Sequence, residues 1–116
     1  MKNCVHIYMG KNWMDLKTAQ GMALRACGAG FSVGFFGFDE AASRLPNLQF
    51  VQNLQQDISQ FDMVFLTERD FADFDQDELL KFLADKPQST EIVLCGEVFS
   101  DDVLAVADLV SEILKL

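Results

Sequence analysis

The residues best placed to do chemistry lie in the stretch IYMGKNWMDLKTAQGMALRA, residues Ile7 to Ala26. A short apolar strand runs into Gly10, then a brief loop, then a helical repeat, which is the layout that wraps a phosphate. Such a loop works because glycines let several backbone N–H groups point into one concavity. The helix N-terminus adds partial positive charge, a lysine neutralises the outer phosphates, and a Ser or Thr hydroxyl holds Mg²⁺. Here Gly10 is the one glycine left in the loop. Met14 brings a Cβ and a long side chain to a point where backbone must approach a phosphate closely. Asp15 sets a full negative charge at the mouth of the helix. Two like charges about 4 Å apart repel by roughly 4 kcal/mol at an effective dielectric near 20. Lys11 and Lys17 are within reach of an anion, but neither stands where the lysine of such a loop belongs. The structural expectation is therefore that Asp15 favours the helix start and Trp13 fills the space a nucleotide would take.

The elements that position this loop are legible from pattern. CVHIYM (Cys4 to Met9), FSVGFFGF (Phe31 to Phe38), FDMVFLT (Phe61 to Thr67) and EIVLCG (Glu91 to Gly96) are short and nearly all apolar. They read as strands buried on both faces. LQFVQNL (Leu48 to Leu54) alternates apolar with polar and suits a half-exposed edge. Helical spacing covers Asp15 to Gly28, with Leu16, Ala19, Met22, Ala23, Ala26 and Cys27 on one stripe, stopped at Gly28-Ala29-Gly30. It covers Asp75 to Pro87, opened by an Asp75–Glu78 capping-box variant, and Ser100 to Val110, capped by Ser100 with two acids in its first turn. SEILKL, Ser111 to Leu116, returns to the sheet. Alternating strands and helices with short links predict a three-layer α/β domain with a mostly parallel sheet flanked by helices. One link is unusually short: ten residues separate Phe50 from Phe61. A full crossover helix needs at least about 10–12, so a turn of helix or a bare loop is expected there.

At 116 residues, half of them hydrophobic and eleven of them Phe, the chain is expected to be one packed domain over residues 1–116. The net charge of −9, with nine scattered Lys and Arg, argues against a nucleic-acid partner. No apolar run is long enough for a membrane span, and the N-terminus carries no secretory pattern. Cys4, Cys27 and Cys95 are far apart, odd in number and set among apolar residues. They read as buried, reduced thiols of a cytoplasmic protein, not as a disulfide frame or zinc site. Asp73, Asp75 and Asp77 have calcium-loop spacing, but Glu78 and Ala84 stand where glycine and glutamate are needed, so no metal site is expected. His6 is the single histidine and lies within a strand, so no Ser–His–Asp or Cys–His pairing is expected. Phe71 and Phe74 are candidates to cap the vacated pocket or to join an interface.

Across nearly its whole length the sequence resembles the ATP:corrinoid (cob(I)alamin) adenosyltransferases, P-loop enzymes that adenosylate cobalamin precursors. The resemblance runs through VHIYMG…AQGMALRACGAGFSVGFFGF, LPNLQF, FDMVFLTERD, DELLKFLADKPQSTEIVLCGE and AVADLVSEI. It implies a P-loop NTPase-like fold. The departures fall on the chemistry. Gly10 matches the family's first loop glycine, while Asn12 and Met14 stand at the other two. Asp15 stands at the phosphate lysine and Leu16 at the Mg²⁺-side hydroxyl residue. Thr67 replaces the aspartate of an Asp-Glu pair, leaving Glu68, and Glu97 stands at an arginine. The family's long helical segment between Phe50 and Phe61, implicated in the corrinoid site, is missing. Scaffold positions such as Gly21, Ala23, Arg25 and Ala26 are retained.

The expectation is a catalytically impaired homologue acting as a binding or interaction protein for an unknown small molecule or protein, with self-association as a homodimer one form of it. No cofactor is expected under that reading. An alternative is an adenosyltransferase-like enzyme that still binds ATP, Mg²⁺ and cobalamin through Gly10, Lys11, Lys17 and Glu68. A third is a sensor of another, neutral or cationic, small molecule in the same cleft, to which Asp15, Glu68 and Glu97 would be suited.

Overall fold

A computed structural model describes residues 4–10, 16–36, 47–51, 53–67 and 74–112, with the backbone alone for residues 16–18. In chain order the elements are β1 (Val5–Met9), α1 (Leu16–Gly28), β2 (Val33–Phe36), β3 (Leu48–Val51), β4 (Met63–Thr67), α2 (Gln76–Ala84), β5 (Glu91–Gly96), α3 (Asp101–Val106) and β6 (Leu109–Glu112). The six strands form one sheet in the order β3-β2-β4-β5-β1-β6. Every pairing is parallel. Among the described residues, no helix is long and apolar enough to cross a membrane.

The alternation of side chains along each strand divides the core into two layers. Ile7, Phe36, Val64, Leu66, Ile92 and Leu94 face α2 and α3, where they meet Leu79, Phe82, Leu83 and Val103. Val33, Phe35, Phe65, Val93 and Cys95 face α1, where they meet Ala19, Ala23 and Cys27. The three-layer α/β architecture follows, because strands apolar on both faces must be covered on both. All three cysteines are buried thiols outside any disulfide. Desolvation raises the Cys95 thiol to about 12, so it is an inert core side chain.

Local chemistry explains most element ends. α1 closes in a Schellman arrangement: Phe31 N–H donates to the Ala26 carbonyl and Gly30 N–H to that of Cys27. Gly30 supplies the required positive φ of 97°. Asn47 Nδ2 then ties the Cys27 and Phe31 carbonyls, at 3.0 and 2.7 Å. β3, expected at an edge, is at an edge. Two expectations need correction. Asp75 is the N-cap of α2 but makes no side-chain cap bond, so the capping box does not form. The helix expected to run to Val110 ends at Val106, and β6 begins at Leu109. Asp108 causes the early switch: its N–H donates to the Val5 carbonyl and its carboxylate accepts from Val5 N–H at 2.7 Å, locking the chain beside β1.

The link flagged as short crosses from β3 to β4 as irregular chain, with Ile58 and Phe61 buried in the layer shared with α2. Phe61 presses on the sheet where β2 has no side chain. A Cβ added to Gly34 would lie 2.9 Å from both the Phe61 ring and Val51. Gly34→Ala is therefore expected to destabilise the fold by about 1–3 kcal/mol through overpacking. Urea denaturation checks this; an unchanged midpoint would mean that Phe61 moves aside at no cost.

Candidate functional site

In an open parallel sheet, ligands bind beyond the carboxyl ends of the strands. β4, β5 and β1 are neighbours, with Thr67 opposite Cys95 and Met9 opposite Gly96. Their ends therefore bring Gly10, Thr67 and Glu97 to one edge, where α1 also begins. Lys11, Asn12, Met14, Asp15 and Glu68 lie outside the described residues, as do the side chains of Leu16 and Lys17. Phe71 does too. Phe74 is described: it packs edge-on against Phe36, the last residue of β2, with ring centroids 6.0 Å apart.

Gly10 has a φ of 155°, a conformation that side chains disfavour. Its N–H donates to the Gly96 carbonyl at 3.0 Å, carrying the β1–β5 ladder one residue past the strand. That donor is spent inside the sheet and does not point at a ligand. Thr67 is buried at 2% exposure. It follows Met63 and Phe65 in facing α1. Glu97 is half-buried at the end of β5.

The helix starts add charge of one sign. Asp75, Asp77 and Glu78 open α2, and Asp101 and Asp102 open α3. Ser100 links the two starts: its Oγ accepts from Val103 N–H at 3.3 Å and from Gln76 Nε2 at 2.6 Å. The described basic side chains lie at the opposite edge, Arg25 and Lys81 in the last turns of α1 and α2 and Lys86 just beyond α2. Acids at helix starts and bases at helix ends both complement the helix dipole. The carboxyl edge is consequently anionic among its described side chains.

A second group was missed in the sequence, where no Ser–His pairing was foreseen. His6 Nε2 and Ser111 Oγ are joined by a hydrogen bond of 2.9 Å, although 105 residues separate them. The parallel register of β1 with β6 brings them together, and periodicity within either segment carries no sign of it. The imidazole stacks on Tyr8 at 4.1 Å. Its Nδ1 lies 4.0 Å from Glu91. That is too long for the hydrogen bond with which an acid orients a catalytic histidine. Burial lowers the His6 pKa and raises that of Glu91, the reverse of what an ion pair does. The His6–Ser111 hydrogen bond is a clamp fastening β6 to β1, with burial disfavouring a charged imidazole.

A scan of protein-family models finds none that matches this chain, and a search of curated proteins finds no match.

The clamp gives stability a pH signature. Folded His6 binds a proton less readily than at its ordinary 6.5, so its contribution is full above 6.5 and is lost as pH falls through the folded value. Folded Glu91 binds a proton more readily than at its ordinary 4.5, so its contribution is full below 4.5 and fades as pH rises through its folded value. In denaturation series across this range, His6→Gln is expected to remove the rise in stability just below pH 6.5 while leaving the Glu91 part. Parallel curves for the variant and the parent would contradict the assignment.

Proposed function

We propose that this chain is a catalytically impaired relative of the ATP:corrinoid adenosyltransferases, with a P-loop NTPase-like fold, that works by binding a partner rather than by transferring an adenosyl group. The observation that supports this best is the sign of the carboxyl edge. Asp75, Asp77, Glu78, Glu97, Asp101 and Asp102 gather there, and the described Lys and Arg side chains do not. A triphosphate brought to this edge meets like charge where it needs cations and free N–H donors. The Gly10 N–H, already given to Gly96, adds to the mismatch. The kinship draws support from strand order: β4, β5 and β1 stand side by side, so Gly10, Thr67 and Glu97, which match positions of the family's loop, acidic pair and basic turn, come to one edge. In the same reading, Asp15 and Leu16 at the lysine and hydroxyl positions remove the groups that would hold phosphate and Mg²⁺.

The same carboxylates favour a second reading, a sensor of a cationic or neutral small molecule at this edge. Under either reading ATP and cobalamin are not cofactors.

Thermal unfolding with and without Mg-ATP or cobalamin tests the proposal. A ligand present at a hundred times its Kd stabilises by about 2.7 kcal/mol, several degrees for a domain of this size. No shift is expected with either compound, and a saturable one with Mg-ATP would overturn the proposal. Asp15→Lys with Leu16→Thr is expected to leave ATP binding unrestored, because Met14 still occupies the loop. Tight binding by that double variant would show the steric part to be wrong.

A further inference from the structure

The bare crossing between β3 and β4 leaves a trough where an α/β layer usually carries a helix. An α-helix is about 10–12 Å across with its side chains, and irregular chain pressed onto the sheet is thinner. The result is a cavity of about 540 Å³ between the crossing segment and one side of α2. That volume falls within the roughly 300–1,000 Å³ of small-molecule sites. The cavity reaches to Lys86 and Pro87 at the amino ends of the strands and is separate from the edge that holds Gly10 and Glu97.

Its lining pairs an apolar floor with a charged rim. Leu54, Ile58 and Phe82 form the floor, two of them joining the core. Glu78, Lys81, Phe82 and Asp85 follow helical spacing, so one side of α2 faces the cavity. Asp57 stands on the facing segment, where it accepts the Ser59 N–H at 2.9 Å, and this bond holds its carboxyl below the usual range. Asp57, Glu78 and Asp85 all line the cavity, Glu78 and Asp85 about 10 Å apart along α2, and the C-terminal end of α2 adds partial negative charge beside Asp85. Two lysines line it as well, Lys86, held by the Pro87 and Thr90 carbonyls at 3.1 and 2.9 Å, and Lys81 on α2, so three acids against two bases leave the lining net negative by one.

We infer that this cavity is a binding site for a small organic cation, a protonated amine carried on an apolar body. The ammonium sits between Asp57 and Asp85, and the body lies against Leu54, Ile58 and Phe82. The inference does not depend on the fate of the carboxyl edge and stands or falls apart from it.

The probe is 2-phenylethylamine, with 2-phenylethanol as its uncharged counterpart, titrated into the full chain and followed by amide chemical shifts. Saturable binding of the amine in the millimolar range or tighter is expected, with shifts along residues 54–58 and 78–87 and none saturable with the alcohol. Asp57→Asn with Asp85→Asn is expected to weaken binding about tenfold, the scale of two exposed ion pairs. Asp101→Asn with Asp102→Asn removes as much charge at the far edge and is expected to leave affinity unchanged. Lys81→Gln is expected to tighten it by about threefold. Gln55→Trp, at an exposed rim position, fills the space without touching the core and is expected to abolish binding. Equal weakening by both acid pairs would show attraction to a negative protein and overturn the site. So would equal binding of the alcohol, or no saturable binding of the amine.

Discussion

A parallel sheet has to be covered on both faces, and the described residues of this chain supply three helices for the task. One covers one face and two share the other, so the crossing from β3 to β4 must cover sheet without a helix. Much of what is particular to the molecule follows from that shortage. Phe61 is driven down onto β2, and a glycine has to lie beneath it. Thr90, fully buried, donates its hydroxyl to the Phe61 carbonyl at 2.8 Å, which satisfies a polar group that a helix would have satisfied for itself. Beside α2, the missing bulk becomes a cavity.

The charge pattern comes from the same architecture. Each helix after a strand starts at the carboxyl edge, so the acids that suit helix starts collect there and the bases that suit helix ends collect opposite. In a nucleotide-binding protein, glycines and a lysine work against this tendency at one loop. Here the loop and the neighbouring strand ends run with it. The acids that stabilise the helix starts are, on the proposed reading, also the groups that turn a polyanion away.

How much of this the sequence discloses depends on the range of the cause. β1, β2, β4 and β5 are legible because an unbroken apolar run has few other fates, and α1 is legible from its buried stripe and glycine stop. The end of α3 is not, because Asp108 acts on Val5, more than a hundred residues away, and such hydrogen bonds leave no local periodicity. The His6–Ser111 clamp is hidden for the same reason. Of the candidate site, Gly10, Thr67 and Glu97 are placed at a common edge by strand order. Lys11, Asn12, Met14, Asp15 and Glu68 lie outside the described residues. The cavity leaves one trace in the sequence, the ten residues between Phe50 and Phe61, since it is made by what that link lacks.

The central claim is that the carboxyl edge repels a polyphosphate and that Gly10 has no donor to give one. The Gly10 amide resonance, followed during a titration with Mg-ATP at low ionic strength, tests it most directly. The account expects that resonance to hold its position at every nucleotide concentration. A saturable shift at Gly10, accompanied by the amides of residues 11–16, would place phosphate against the loop and contradict it.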